Sequence, residues 1–255
     1  MNKQYSHYIL VAILLAAPFL YLSTFYVSLP AIIPTHFNLK GEADGFGSKS
    51  MAFFGPVFIG IVSLFTYLLM INIKKIDPKR YANNNDAYFK VFGLITVAFL
   101  SGLNMVILTK TKQLDLPIDK LILPLLGLFF SVMGSFFPKL SQNYFAGFKL
   151  PWTLSSEENW NATHNYAGKF WLYGGLLQMI LGFVLPGMWA FISFFVIMIP
   201  MVVAPIIFSY RFFKAGKYII FYAVNYRCLH RYLYYSFVLK FVGSANLHGG
   251  SWDLL

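Results

Sequence analysis

An all-α, polytopic membrane protein with six transmembrane helices and both termini inside is predicted by three observations. The 255 residues are 58% hydrophobic and only 11% charged, with a mean hydropathy of +0.62, whereas soluble domains carry about a quarter charged residues. Six apolar runs approach or exceed the roughly 20 residues of helix that a hydrocarbon core requires. Lys and Arg fall unevenly between the loops. With the N-terminus inside, twelve lie in the inner segments (Lys3, Lys74, Lys75, Lys79, Arg80, Lys90, Lys139, Lys149, Lys169, Arg211, Lys214, Lys217) and five in the outer ones (Lys40, Lys49, Lys110, Lys112, Lys120). Positive-inside orientation therefore accounts for the formal charge of +11, and no nucleic-acid partner is implied.

The predicted spans are residues 8–29, 51–73, 88–108, 121–137, 167–185 and 188–208. The first is too long in its apolar part, and lacks the small-residue site, to be a cleaved signal peptide. The fourth is short, so Lys120 is expected to snorkel at its start. Pro186-Gly187 joins the fifth and sixth as an antiparallel hairpin. Pro18, Pro124, Pro200 and Pro205 each remove a backbone hydrogen bond that a neighbouring helix must help to satisfy. Gly127, Ser131 and Ser135, and likewise Ala98 and Gly102, form small-residue contact stripes. Asn104 and Gln178 are the clearest mid-span polar groups, with interhelical hydrogen bonding as their expected role.

Two loops are far more polar than a connection requires. In the outer loop, residues 29–50, Leu29-Pro30 and Ile33-Pro34 read as an extended exit from the first span, followed by a turn-rich segment. His36, Asn38, Glu42 and Asp44 are its candidate ligand contacts, because exposed loops are where binding residues concentrate; a surface or capping role for His36 is the plainer reading.

The inner loop, residues 138–166, contains LPWTLSSEENWNATH. Ser155-Ser156-Glu157-Glu158 fits a capping box, with Ser155 as the cap and Glu158 returning to it. On the helix that follows, Glu157, Trp160, Asn161 and His164 share a face, and Trp152 precedes it as an interfacial aromatic. Three roles are open to this face: an anchoring structural helix, a contact surface for a partner, or a metal or catalytic site. Glu157 and His164 lie roughly 10 Å apart along the axis, and HExxH spacing is absent.

Ionisable residues are almost missing from the spans, which argues against an ion-coupled pump. The single cysteine, Cys228, provides neither a disulfide nor a cysteine metal site. No phosphate loop, dinucleotide fingerprint or nucleophile elbow occurs, so no cofactor, metal or catalytic residue is assigned.

LPAIIPTHFNLKGEADGFGSK, in the outer loop, resembles an N-terminal region of unknown function. GFKLPWTLSSEENWNATHNYAGKFW, residues 147–171, resembles the defining motif of the SdpI family of bacterial integral membrane immunity proteins. Lys149 supplies the basic residue expected before Pro-Trp-Thr, whereas Asn165 stands where a second is expected. The resemblance implies a six-span protein of the bacterial inner membrane. It also implies protection against a secreted, membrane-active peptide toxin of the SdpC-like kind, and signalling to a cytoplasmic transcriptional repressor. The expected organisation is an N-terminal three-span region (1–109), an SdpI-like three-span region (110–217) and a tail (218–255) outside the resemblance. In the tail, Arg227, His230 and Arg231 share a face, as in a helix lying on membrane lipid. The reading is a non-enzymatic immunity or receptor protein. Its alternative is a membrane-embedded peptidase or hydrolase using His36, Glu157, Glu158 and His164.

Overall fold

In a computed structural model, the backbone is described for residues 3–37, 43–76, 86–112 and 119–245, and side chains for 6–36, 43–76, 87–112 and 120–216. The long helices are α1 (Lys3–Ser23), α2 (Phe54–Ile71), α3 (Asp86–Thr111), α4 (Asp119–Phe136), α5 (Glu157–Val184) and α6 (Gly187–Ala245). Each contains a stretch long and apolar enough to cross a membrane. The chain falls into two compact units, Met1–Ser209 and Tyr210–Leu255; the second is helical to Ala245. The expectation of an interfacial face at Arg227, His230 and Arg231 lies outside the described side chains.

Two span boundaries differ from those expected. α1 stops at Ser23 rather than continuing to residue 29. Ser23 and Thr24 turn their hydroxyls back onto the carbonyls of Leu20 and Tyr21, both at 2.7 Å, a local bond that competes with helix continuation. A 3-10 turn, Tyr26–Ser28, then leads out. At the other boundary, the inner-loop helix and the fifth span form one 28-residue helix.

The outer loop contains a hairpin that the sequence pattern did not reveal. β1 (Ile32–Phe37) pairs antiparallel with β2 (Ala43–Ser48), with irregularities on either side of His36. Leu29 and Ile33 tuck beneath the hairpin against Leu22, Phe25, Ala52 and Leu108. At the opposite end of α3, Phe89 packs with Ile73, Phe137, Leu140 and Ala146. The hairpin and the 139–164 segment therefore occupy opposite ends of the bundle, since the nineteen steps from Phe89 to Leu108 rise about 28 Å.

The prolines explain two interhelical bonds. Pro18 leaves the Leu14 carbonyl without its amide, and the Ser101 hydroxyl of α3 donates to it at 2.6 Å. Pro205 does the same to Met201, whose carbonyl accepts the Trp171 indole N–H of α5 at 2.9 Å. Asn104 donates to the Gly55 carbonyl of α2, and Ser193 of α6 donates to Gln178, so both polar side chains tie helices together. Lys120, instead of snorkelling, donates to the carbonyls of Phe183 and Leu185 and caps the end of α5.

α4 and α5 run antiparallel with their backbones in contact. A β-carbon on Gly127, Gly134 or Gly175 would lie 2.4, 2.3 or 2.3 Å from a backbone nitrogen of the facing helix. The contact row follows 127, 131 and 134 on α4 and continues to 138 in the turn just beyond it; Gly168, Gly175 and Gly182 answer it at seven-residue intervals on α5. Alternating steps of four and three are those of a helix pair wound about a common axis. Ser135 consequently faces outward, contrary to the stripe expected from four-residue spacing, and Gly134 takes its place. Similarly, Gly102 faces Leu125 while Ala98 is exposed.

Candidate functional site

Two constellations stand out, one at each end. At the hairpin end, the His36 imidazole Nδ1 meets the Asp44 carboxylate at 2.5 Å across the strands. Both side chains are exposed, at 72% and 45%, so screening leaves such a pair little influence on stability. Asn38 and Glu42 lie outside the described residues. Beside this pair a cleft of about 690 Å³ opens between β1, α2 and α3. Its walls are apolar, among them Phe54, Phe58, Ile59 and Ile107, and its polar groups come from Thr35, His36 and Thr111. Phe54 and Phe58 stack on each other with centroids 5.7 Å apart and remain more than half exposed. Of the candidate contacts named from the sequence, His36 lies in the lining of this cleft, whereas the aromatic walls were not named. The i, i+4 pair Phe54/Phe58 was the available signal, hidden because every span is rich in phenylalanine.

At the other end, a network of side chains satisfies an irregular backbone. Ser156, not Ser155, caps α5 by accepting the Asn159 amide at 3.1 Å. The shift follows from a separate single turn, Pro151–Ser155, in which the Ser155 hydroxyl bonds back to Trp152. Thr153 accepts the Leu150 amide and donates to the Phe148 carbonyl. Asn143 accepts the amides of Phe145 and Ala146, and the Trp160 indole donates to Leu140 at 2.7 Å. The side chains of Asn159 and Trp152 meet Ser209 of α6: Asn159 donates to its carbonyl, and the Trp152 indole donates to its hydroxyl at 2.6 Å. Thr163 completes this group by donating to Asn159.

His164 is at the centre and almost fully buried. Its Nε2 lies 2.9 Å from the Phe148 amide, and its Nδ1 lies 2.8 Å from the Trp160 carbonyl. The amide can only donate, so Nε2 is the unprotonated nitrogen and Nδ1 carries the hydrogen. The ring stacks on Trp160 at 4.0 Å. Nε2 thus holds the Phe148 backbone against α5, while the Nδ1 bond to Trp160, within α5, fixes the orientation of the ring.

The face expected to join Glu157, Trp160, Asn161 and His164 is divided. Trp160 and His164 point into the protein, while Glu157 and Asn161 are exposed. The buried surface is centred instead on Asn159, Trp160, Thr163, His164 and Ala167. Trp152 is half-buried. His36 and His164, which a hydrolytic site would need together, belong to opposite ends of the bundle. Among the described residues, no three His, Cys, Asp or Glu side chains gather as a metal site would require.

Residues 139–209 match the SdpI/YfhL protein family, and residues 13–61 match a domain of unknown function, DUF1648. The chain is 25% identical over 215 residues to a protein named Immunity protein SdpI from Bacillus subtilis (strain 168), an alignment spanning 81% of this chain and 95% of that one. No solved structure matches. The family segment contains the Thr153, Asn159, Trp160, His164 and Ser209 network, and the two matched regions occur together in a chain with six membrane-crossing helices. This is a multi-pass cell-membrane protein in which residues 139–209 match the SdpI/YfhL family and most of the chain is similar to an SdpI immunity protein.

Proposed function

We propose that the protein confers immunity by binding a secreted, membrane-active, SdpC-like peptide at its hairpin end, which faces the outside of the cell. The observation that carries this reading is the apolar cleft beside the hairpin, with a polar lip at His36 and room for several side chains. An amphipathic peptide approaching along the membrane surface would seat apolar residues between Phe54, Phe58 and Ile107, and meet polar groups at His36 and Asp44. Asn38 and Glu42 would extend the same lip. Binding there keeps the peptide from inserting elsewhere. At the opposite, cytoplasmic end, exposed Glu157 and Asn161 offer contacts to a transcriptional repressor, while Trp152, Trp160 and His164 hold the scaffold that presents them.

Sensitive cells expressing the protein test this reading. Phe54→Ala with Phe58→Ala, and separately His36→Ala with Asp44→Ala, are expected to weaken protection at unchanged membrane abundance. A buried aromatic anchor contributes about 2 kcal/mol, or roughly 30-fold in affinity. Full protection by the Phe54/Phe58 variant, or no protection by the wild type against any such peptide, would refute the proposal.

A further inference from the structure

A second cleft, of about 380 Å³, opens at the end of the bundle opposite the hairpin. Phe92 of α3, Phe130 of α4, Phe137 just past the end of α4, Phe148 of the loop before α5 and Trp171 of α5 line it, with Val202 of α6 at one side. From Phe137 to Phe130 it follows α4 for about 10 Å into the membrane-crossing region. Its walls are almost entirely hydrocarbon and aromatic rings, so its occupant must present hydrocarbon.

Charge next to the lining residues supplies the other half of the recognition. Lys139 lies two residues beyond Phe137, with its ammonium 5.0 Å over the Phe136 ring. Lys149 follows Phe148, and its ammonium donates to the Phe145 carbonyl at 3.2 Å. Both are exposed, and an ammonium has three donors, so Lys149 retains two beyond that bond. Lys90 and Lys169 are also exposed on the adjoining turns of α3 and α5, against Glu157 and Glu158 at the start of α5. An apolar slot with cations beside its lining residues is complementary to a molecule with an acyl chain and an anionic head. We propose that this cleft is a binding site for one anionic phospholipid, with an acyl chain along the aromatic wall and the phosphate between Lys139 and Lys149. The site is independent of the peptide-binding reading and lies at the other end of the protein.

The test uses the full chain, purified and delipidated in mild detergent. It is titrated with phosphatidylglycerol or phosphatidylcholine of identical acyl chains, and separately with inorganic phosphate. Bound lipid is counted by native mass spectrometry. One phosphatidylglycerol is expected to bind at least tenfold more tightly than phosphatidylcholine, with no retention of phosphate alone. Each lysine near an anionic head contributes about fivefold. Lys139→Gln with Lys149→Gln should therefore erase the preference, whereas Lys49→Gln, near the hairpin, should not. Val202→Trp fills the slot and should lower retention of both lipids; Val202→Phe replaces it if the larger side chain lowers the melting temperature of the lipid-free protein. Equal binding of the two lipids, a preference that survives the double lysine change, or undiminished binding in the filled variant would each overturn the proposal.

Discussion

Gly147 offers the most direct test of the scaffold around His164. Its φ is +99°, and a β-carbon there would lie 2.2 Å from His164 Nε2 and 3.0 Å from Cδ2. Two costs follow for Gly147→Ala. Holding alanine at positive φ costs about 1–2 kcal/mol. The imidazole must also move away, although it is stacked on Trp160 and bonded at both nitrogens. Its movement leaves the Phe148 amide without an acceptor, which costs about 1–3 kcal/mol when buried. The expected total is about 2–5 kcal/mol, a fall in melting temperature of at least roughly 4 °C for a chain of this size. The assay is thermal unfolding of purified protein in detergent, followed by tryptophan fluorescence. Gly60→Ala serves as the control, since a β-carbon there meets nothing within 4 Å. In a His164→Ala background, Gly147→Ala should cost only the backbone strain, because the obstructing ring is gone. A Gly147→Ala protein that melts with the wild type, or the same loss in both backgrounds, would refute the assigned geometry.

Other outcomes are expected from the same structure. Trp171→Phe should cost about 1–3 kcal/mol by stranding the Met201 carbonyl, and less when Pro205→Ala restores a backbone donor; unfolding of the single and double variants in detergent measures the difference. Gly175→Leu should separate α4 from α5 and abolish stable accumulation in the membrane, as read by immunoblot, since a β-carbon would lie 2.3 Å from the Ser131 nitrogen. Trp160→Ala should cost about 3–5 kcal/mol and exceed His164→Ala in the same assay. In a Cys228→Ser background, an impermeant thiol reagent added to intact cells should label a cysteine placed at Lys40 and miss one placed at Lys149. The reverse labelling would invert the proposed orientation.

The six crossings were legible because a hydrocarbon core imposes a length on any helix that spans it, and each apolar run approaches or exceeds that length without reference to its neighbours. The need for Pro18 and Pro205 to find outside donors was legible for the same reason. Their partners were not: nothing near Pro205 in the chain points to Trp171, thirty residues before the carbonyl it satisfies. The inner face illustrates the limit. Periodicity correctly grouped Trp160 with His164, but it could not tell that Asn159 would turn inward toward Ser209, fifty residues away, and leave Asn161 outside. Nor does spacing alone distinguish Gly134 from Ser135 as the contact on α4; the choice depends on the winding of the pair. The hairpin escaped notice because its strands carry Pro34, Gly45 and Gly47 in place of alternating β-branched residues.

The glycine seam between α4 and α5 bears on how the membrane accepts this chain. α5 is the least apolar of the six crossings, because it begins with Glu157, Glu158, Asn159 and Asn161 and carries His164 within its second turn. A helix of this composition gains little from hydrocarbon on its own. The helix it packs against is already synthesised when α5 emerges, and the glycine contacts freeze no rotamers as they form, so docking loses no side-chain entropy at those positions. Insertion of the weakest span is thereby coupled to a partner whose association costs the chain least, and the close geometry of the seam becomes a condition for biogenesis as much as for the finished fold.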